Sequence, residues 1–196
     1  MRRATAAADD RSTPRRPFAK KSLGQHFLVD RRVLGRIVEA AELSPADVVV
    51  EVGPGRGFLT GALVKRAGRV VAVELDSALA GRLAESYRDR PALTVVAADA
   101  REVDFGSLVA EGEPYKVVAN LPYYAASPII RRFLEAAQKP VLMVVTVQRE
   151  VADEMVARPG KMGLLSVATQ LYGSPRIVCS VPPKAFRPAP KVSAAV

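Results

Sequence analysis

The sequence predicts an α/β domain with a mostly parallel sheet flanked by helices. Three observations predict it. Short β-branched runs alternate with helical patterns along most of the chain. The first run, Val48–Val52, opens directly into a glycine-rich loop. Acids stand at the ends of three successive runs, Glu51, Glu74 and Asp99. The carboxyl ends of parallel strands are where open α/β sheets bind ligands.

Taken in order, residues 1–20 are rich in Ala, Arg and Pro and read as a basic, disordered arm. Asp30 is placed to cap a helix whose apolar face is Val33, Leu34, Ile37, Val38 and Ala41. Ser44-Pro45 stops that helix. Val48–Val52 is a continuous apolar run bounded by turn signals, so it reads as a buried parallel strand. Residues 59–66 read as a helix and 69–75 as a strand. Residues 77–87 form a helix with Ser77 as its candidate cap. Residues 93–97 and 115–119 are strands. Residues 128–137 are a helix with proline in its first turn. Residues 141–147 are a strand, 148–157 and 164–172 helices, and 176–181 a further strand. Pro182, Pro183, Pro188 and Pro190 stiffen the next loop. A last strand begins near Val192 and is expected at a frayed sheet edge. Cys179, in an apolar strand, reads as a small core residue.

Composition narrows the chemistry. The chain has 196 residues, 49 % of them hydrophobic and 25 % charged, as in an ordinary globular domain. One cysteine and one histidine, His26, allow neither an internal disulfide nor a Cys/His zinc site, so no metal is expected. A hydrolytic triad would rest on His26 alone. No apolar run approaches the roughly 20 residues that span a bilayer, and the N-terminus lacks the apolar core of a signal peptide. The reducing cytoplasm is the expected compartment, with no membrane contact. The net charge of +9 is uneven: residues 1–36 carry +7, residues 37–136 carry −3 and residues 137–196 carry +5. Basic ends around an acidic middle suit a polyanion held over a small-molecule pocket. A soluble protein with a basic tail is the plainer reading.

The loop Gly53-Pro54-Gly55-Arg56-Gly57 allows positive φ and close backbone approach by a ligand, with free helix N–H groups following. A dinucleotide site, a nucleoside site and a bare tight turn all remain open on this loop. Glu74, 17 residues past Gly57, can accept both hydroxyls of a ribose. A solvated acid at a strand end is the alternative. Asp99 can accept from an adenine amino group, and the neighbouring backbone N–H, at Ala100, can meet the ring. Three strand-end acids favour a cationic ligand. S-adenosylmethionine carries a sulfonium and an ammonium, whereas the pyrophosphate of NAD would be repelled; Arg56 is the one opposing feature.

The fourth strand runs into Asn120-Leu121-Pro122-Tyr123. An aromatic amine is a poor nucleophile because its lone pair is delocalised into the ring. The Asn120 side-chain oxygen and the Leu121 carbonyl can accept both amino hydrogens and turn the lone pair toward a methyl carbon. Tyr123 can stack on the base, and a paired base would have to be flipped out. A turn closed by Asn and Pro is the structural alternative.

With Lys21-Ser22-Leu23-Gly24-Gln25-His26-Phe27-Leu28, the glycine loop, Glu74-Leu75-Asp76, Asn120-Leu121-Pro122-Tyr123 and the stretch from Pro182 to Val192, the chain resembles the ribosomal RNA adenine dimethylases over residues 18–196. The bacterial KsgA branch is the nearest in wording. The resemblance implies a Rossmann-like class I S-adenosylmethionine-dependent methyltransferase. It implies dimethylation of N6 on two adjacent adenosines near the 3′ end of small-subunit ribosomal RNA. The implied partner is the immature 30S subunit, and a monomer is expected. Carried over by motif, His26 and Leu28 would contact the donor, with His26 hydrogen bonding rather than acting as an acid or base. Gly53 and Gly55 would lie against the donor's methionine part, Glu74 on its ribose, and Asp99 and Ala100 on its adenine. Asn120 would bridge donor and acceptor, contacting the cofactor and clamping the target amine with Leu121, and Tyr123 and Phe186 would be stacking walls.

Relatives often continue the fourth motif with Asn, where this chain has Tyr124. The family also implies a C-terminal helical domain. Residues 21–196 are therefore read as a catalytic domain truncated before it. Lys184, Arg187 and Lys191 read either as a phosphate-contacting edge or as a surface linker. Three rival functions remain. They are an Erm-type large-subunit RNA methyltransferase, a non-catalytic ribosome-assembly factor and an NAD-dependent oxidoreductase.

Overall fold

The structure is a computed structural model that describes residues 25–196. The expected basic arm at residues 1–20 lies outside the described residues, as do Lys21 to Gly24. Seven strands form one sheet. β2 (Val48–Val52), β3 (Arg69–Glu74), β4 (Leu93–Ala97), β5 (Tyr115–Asn120) and β6 (Leu142–Gln148) all run parallel. β9 (Ala194–Ala195) runs antiparallel to β6 and to β7 (Ser180–Val181). The order is β4-β3-β2-β5-β6-β9-β7. The chain winds outward from β2 through β3 to β4, then returns to the other side of β2 with β5. The boundary between β2 and β5 is therefore the switch point, where a crevice opens at the carboxyl ends of the strands.

Every residue of β2 is buried, and alternate side chains enter different cores. Val48, Val50 and Val52 pack on one face with Ile129, Ile130 and Phe133 of α4 (Ala126–Glu135). Val49 packs on the other face with Val33 and Ile37 of α1 (Arg31–Ala40) and Leu63 of α2 (Thr60–Leu63). A strand buried on both sides reads as a continuous apolar run, which is why this one is unmistakable in the sequence.

Several elements differ from expectation for local reasons. α3 (Ser77–Ser86) is capped by Asp76, whose carboxylate accepts from Ala78 N and Leu79 N, and not by Ser77. Asp30 caps α1 as expected, accepting from Arg32 N and Val33 N. α2 has only four helical residues in place of the eight expected, because the glycine loop and a following turn take up the rest. α4 starts at Ala126, so Pro128 is its third residue. α5 (Arg149–Met155) and α6 (Leu164–Tyr172) fall where their patterns predict.

The last strand is interior, contrary to its expected place at an edge. β9 lies between β6 and β7, with Ala194 and Ala195 fully buried. Two alanines are small enough to pass under helices on both faces. Backbone bonds Val178 N to Val196 O (2.7 Å) and Val196 N to Cys179 O (3.0 Å) extend the pairing. Cys179 is half-buried against the α1-side core.

A second, two-stranded sheet has no counterpart in the sequence pattern. β1 (Phe27–Leu28) pairs antiparallel with β8 (Phe186–Arg187), Leu28 opposite Phe186. Val29 N donates to Ala185 O at 2.9 Å. This clip ties the segment before α1 to the proline-rich segment. Phe186 is fully buried with Leu28, Val33 and Ile37. Phe186→Ala should lower unfolding free energy by about 3–5 kcal/mol in denaturant titration. A loss under about 1 kcal/mol would show that the clip is not anchored by this ring.

Candidate active site

The glycine loop owes its shape to three left-handed residues, Gly53 (φ 68°), Gly55 (φ 57°) and Gly57 (φ 76°). Gly55 is also sterically closed: a Cβ there would stand 2.8 Å from the Phe27 ring. Gly55 N donates to Glu74 Oε2 at 2.9 Å, and Asp76 N donates to Oε1 at 2.9 Å. Glu74 is thus held from both sides by backbone amides. Burial raises its pKa, and those two N–H groups oppose the rise.

At the switch point, Asn120 ends β5 beside the loop, so close that a Cβ on Gly53 would lie 3.6 Å from the Asn120 carbonyl. Asn120 Nδ2 donates to the His26 carbonyl at 3.3 Å. That bond fixes the amide's orientation and leaves Oδ1 as the acceptor. Oδ1 is buried and has no hydrogen-bond partner among the described residues. The His26 ring lies 2.8 Å from Pro188 O through Nδ1, which must carry a proton to donate to that carbonyl. The same ring sits 5.5 Å from the Tyr123 ring.

These groups share one cavity of about 750 Å³, counting its open mouth. Glu74, Asp99, Ala100, Asn120, Leu121 and Tyr123 all line it, with Gly53, Gly55 and His26 completing the wall. Nine residues singled out by sequence thus meet in one place. Burial pushes the Tyr123 hydroxyl up to about 12, so it stays protonated. Asp99 is held low by Arg101, whose Nη2 lies 2.5 Å from Oδ2 and whose backbone N donates to Oδ1 at 2.8 Å. The Arg101 guanidinium also lies 5.7 Å from the Tyr124 ring centroid at the cavity rim.

Two candidates fall elsewhere. Phe186 does not line the cavity, because its pairing with Leu28 turns the ring into the core. Leu28 is buried in the same core and borders only the neighbouring groove. Phe27, which lies between His26 and Leu28, lines the cavity instead. Alternation along an extended segment puts residue 27 on the opposite side from 28, so the signal is present in the sequence. The Phe27 ring carries the Arg56 guanidinium at 4.5 Å.

The expectation of three facing acids also needs correction. Glu51 lines the groove on the other side of the loop, not the cavity. Asp99 is already paired with Arg101. Glu51 is fully buried, and burial together with the nearby Glu74 charge pushes its pKa up to about 8. Glu74 is therefore the cavity acid whose two oxygens are held by backbone amides, those of Gly55 and Asp76, rather than by a guanidinium.

A parallel sheet with a glycine loop and a strand-end acid lining one crevice is the architecture of the class I methyltransferases. The chain belongs to the ribosomal RNA adenine dimethylase family, whose model matches residues 18–196. It is 49 % identical over 178 residues to the ribosomal RNA small subunit methyltransferase A of Dehalococcoides mccartyi, covering 91 % of this chain and 61 % of that protein. The protein of the same description from Moorella thermoacetica is 46 % identical, with 90 % and 65 % covered. The chain spans about three-fifths of the length of the curated relatives it matches. Among solved structures, a dimethyladenosine transferase from Plasmodium falciparum superposes with a TM-score of 0.77 at 28 % identity, covering 87 % of this chain and 61 % of that one. The 23S rRNA methyltransferase ErmE gives 0.75 at 34 %, covering 86 % and 67 %.

The raised pKa of Glu51 has a consequence for stability. Its ordinary value is 4.5 and its folded value about 8, so the folded state holds this proton more tightly. The resulting stabilisation is complete below about pH 4.5 and is lost as pH rises toward 8. Glu51→Gln should flatten this decline, read as urea midpoints at pH 5, 6.5 and 8. An unchanged slope in the variant would remove Glu51 as its source.

Proposed function

We propose that this protein transfers methyl groups from S-adenosylmethionine to N6 of two adjacent adenosines near the 3′ end of small-subunit ribosomal RNA. It acts in the cytoplasm, as a monomer, on immature 30S subunits. The observation that carries this reading is the Asn120 amide. Its nitrogen is held by the His26 carbonyl, its buried oxygen has no partner among the described residues, and the residue lines the cavity together with Glu74.

The residues present suit the donor. Each Glu74 oxygen accepts one backbone N–H and retains capacity for a ribose hydroxyl. Asp99, Ala100, Gly53 and Gly55 line the same cavity; in this reading the first two take the adenine and the two glycines the methionine part. His26 contributes through its backbone and its tie to Pro188. S-adenosylmethionine, when bound, supplies a methyl group already activated by its sulfonium. The protein's own task is positioning.

Asn120 Oδ1 and the Leu121 carbonyl accept the two amino hydrogens of the target adenine. This draws the nitrogen's lone pair out of the ring system and directs it along the line of displacement. Tyr123 supplies the stacking face, with its protonated hydroxyl buried and its ring braced by His26. The target base must leave its stack to reach this depth. The small-subunit substrate is favoured over the large-subunit one by similarity: 49 % identity to the first kind of enzyme against 34 % to ErmE.

Incubation with undermethylated small subunits and methyl-labelled donor should yield N6,N6-dimethyladenosine by mass spectrometry of the nucleosides. Subunits that are bound but carry no label would instead support an assembly factor. Asn120→Ala should reduce turnover about 100-fold while donor affinity stays within about threefold. Weakened donor affinity with turnover unchanged at saturating donor would place Asn120 in donor binding alone. Glu74→Ala should weaken donor binding about tenfold or more in calorimetry; normal affinity would remove Glu74 from the site.

A further inference from the structure

Phe27, Gly53, Gly55 and Asn120 wall two spaces at once: the cavity just described and a broader groove on the far side of the glycine loop. The groove holds about 1950 Å³ counting its open side, against about 750 Å³ for the cavity. Its rim is basic. Arg56 on the loop, Lys65 and Arg66 just after α2, and Arg82 on α3 all border it and are exposed. Among the described residues the one acid in its lining is Glu51, which is buried with its pKa pushed up to about 8. Phe58 and Tyr87, both half-buried, line the same groove, as does Phe27, whose ring carries the Arg56 guanidinium.

A groove lined by several cations and several aromatic rings has the make-up that suits a single-stranded nucleic acid: charges meet phosphates and rings meet bases. One small anion needs no such length. An adenosine withdrawn from its stack stays joined to its neighbours, and their backbone must leave the cavity in some direction. The groove opens from the cavity's own wall at Asn120.

We propose that the groove between α2, α3 and β1 binds the single-stranded RNA flanking the target adenosine, with phosphates against Lys65, Arg66 and Arg82 and bases against Phe58 and Tyr87. The proposal rests on the RNA reading above and adds the surface and the strand's path.

The test is binding of a fluorescein-labelled 20-nucleotide single-stranded RNA with two adjacent adenosines, followed by anisotropy across a salt series. The full chain is compared with the Lys65→Glu/Arg82→Glu variant and with Lys139→Glu/Lys161→Glu, which changes net charge equally elsewhere. The groove variant should bind about tenfold more weakly, and its salt slope should fall by about 1.4, or about 0.7 for each phosphate left without its cation. The control should stay within about twofold. Lys65→Gln/Arg82→Gln, which adds no negative charge, should show the same slope change with a smaller loss of affinity, and donor affinity reports whether each variant is folded. Equal losses in groove and control variants, or none in the groove variants, would overturn the proposal. Methyl transfer by the unaltered protein is scored separately. A protein that methylates RNA with a dispensable groove loses this inference only. One that binds RNA through the groove and transfers no methyl loses the catalytic reading only.

Discussion

The hydrogen bond from Gly55 N to Glu74 Oε2 joins the ends of two neighbouring strands and sets the position of everything around it. It exists because β2 and β3 are paired in register from Val48–Arg69 to Val52–Val73, which brings the loop after one beside the acid ending the other. It requires glycine, since φ is positive and the Phe27 ring fills the space where a Cβ would go. A buried carboxylate is costly unless hydrogen bonds compensate it. The Gly55 and Asp76 amides supply that compensation and fix both oxygens at once. The Asp76 carboxylate meanwhile caps α3, so one short turn orients the ligand-facing acid and starts the next helix.

On the other side of the switch point the constraint comes from outside the sheet. β1 and β8 pair with each other, and His26 bonds to Pro188 across 162 residues of sequence. The His26 carbonyl is thereby held where it receives the Asn120 amide nitrogen. The proline-rich segment thus acts on the site through His26 and through the burial of Phe186, without touching the cavity itself. The charge of the site is smaller than three strand-end acids suggest, because Arg101 pairs with Asp99 and Glu51 lies behind the loop. On the proposed reading, recognition of the methyl donor therefore rests chiefly on Glu74 and on the shape of the cavity.

Much of this arrangement is legible in the amino-acid sequence. The β2 run, the glycine loop and the acids ending β3 and β4 are local signals, and parallel pairing then leaves little freedom in where they meet. Asn120 and Tyr123 are legible through the chemistry their types can do. What escapes is non-local. Nothing in the proline-rich segment indicates that it pairs with residues near the N-terminus, so the stacking role expected of Phe186 gives way to packing. Arg101 gives no signal because its role in the structure is to pair with Asp99, two residues away. The interior place of β9 depends on the return path of the chain, which composition does not encode. Phe27 is within reach, since alternation alone separates it from Leu28.

A crystal structure with S-adenosylhomocysteine bound is the most direct measurement. The ribose hydroxyls should lie within about 3 Å of the Glu74 carboxylate, with the adenine beside Asp99 and the sulfur directed at Asn120. A ligand found wholly within the basic groove, or with its ribose turned away from Glu74, would contradict the assignment of this cavity to the methyl donor.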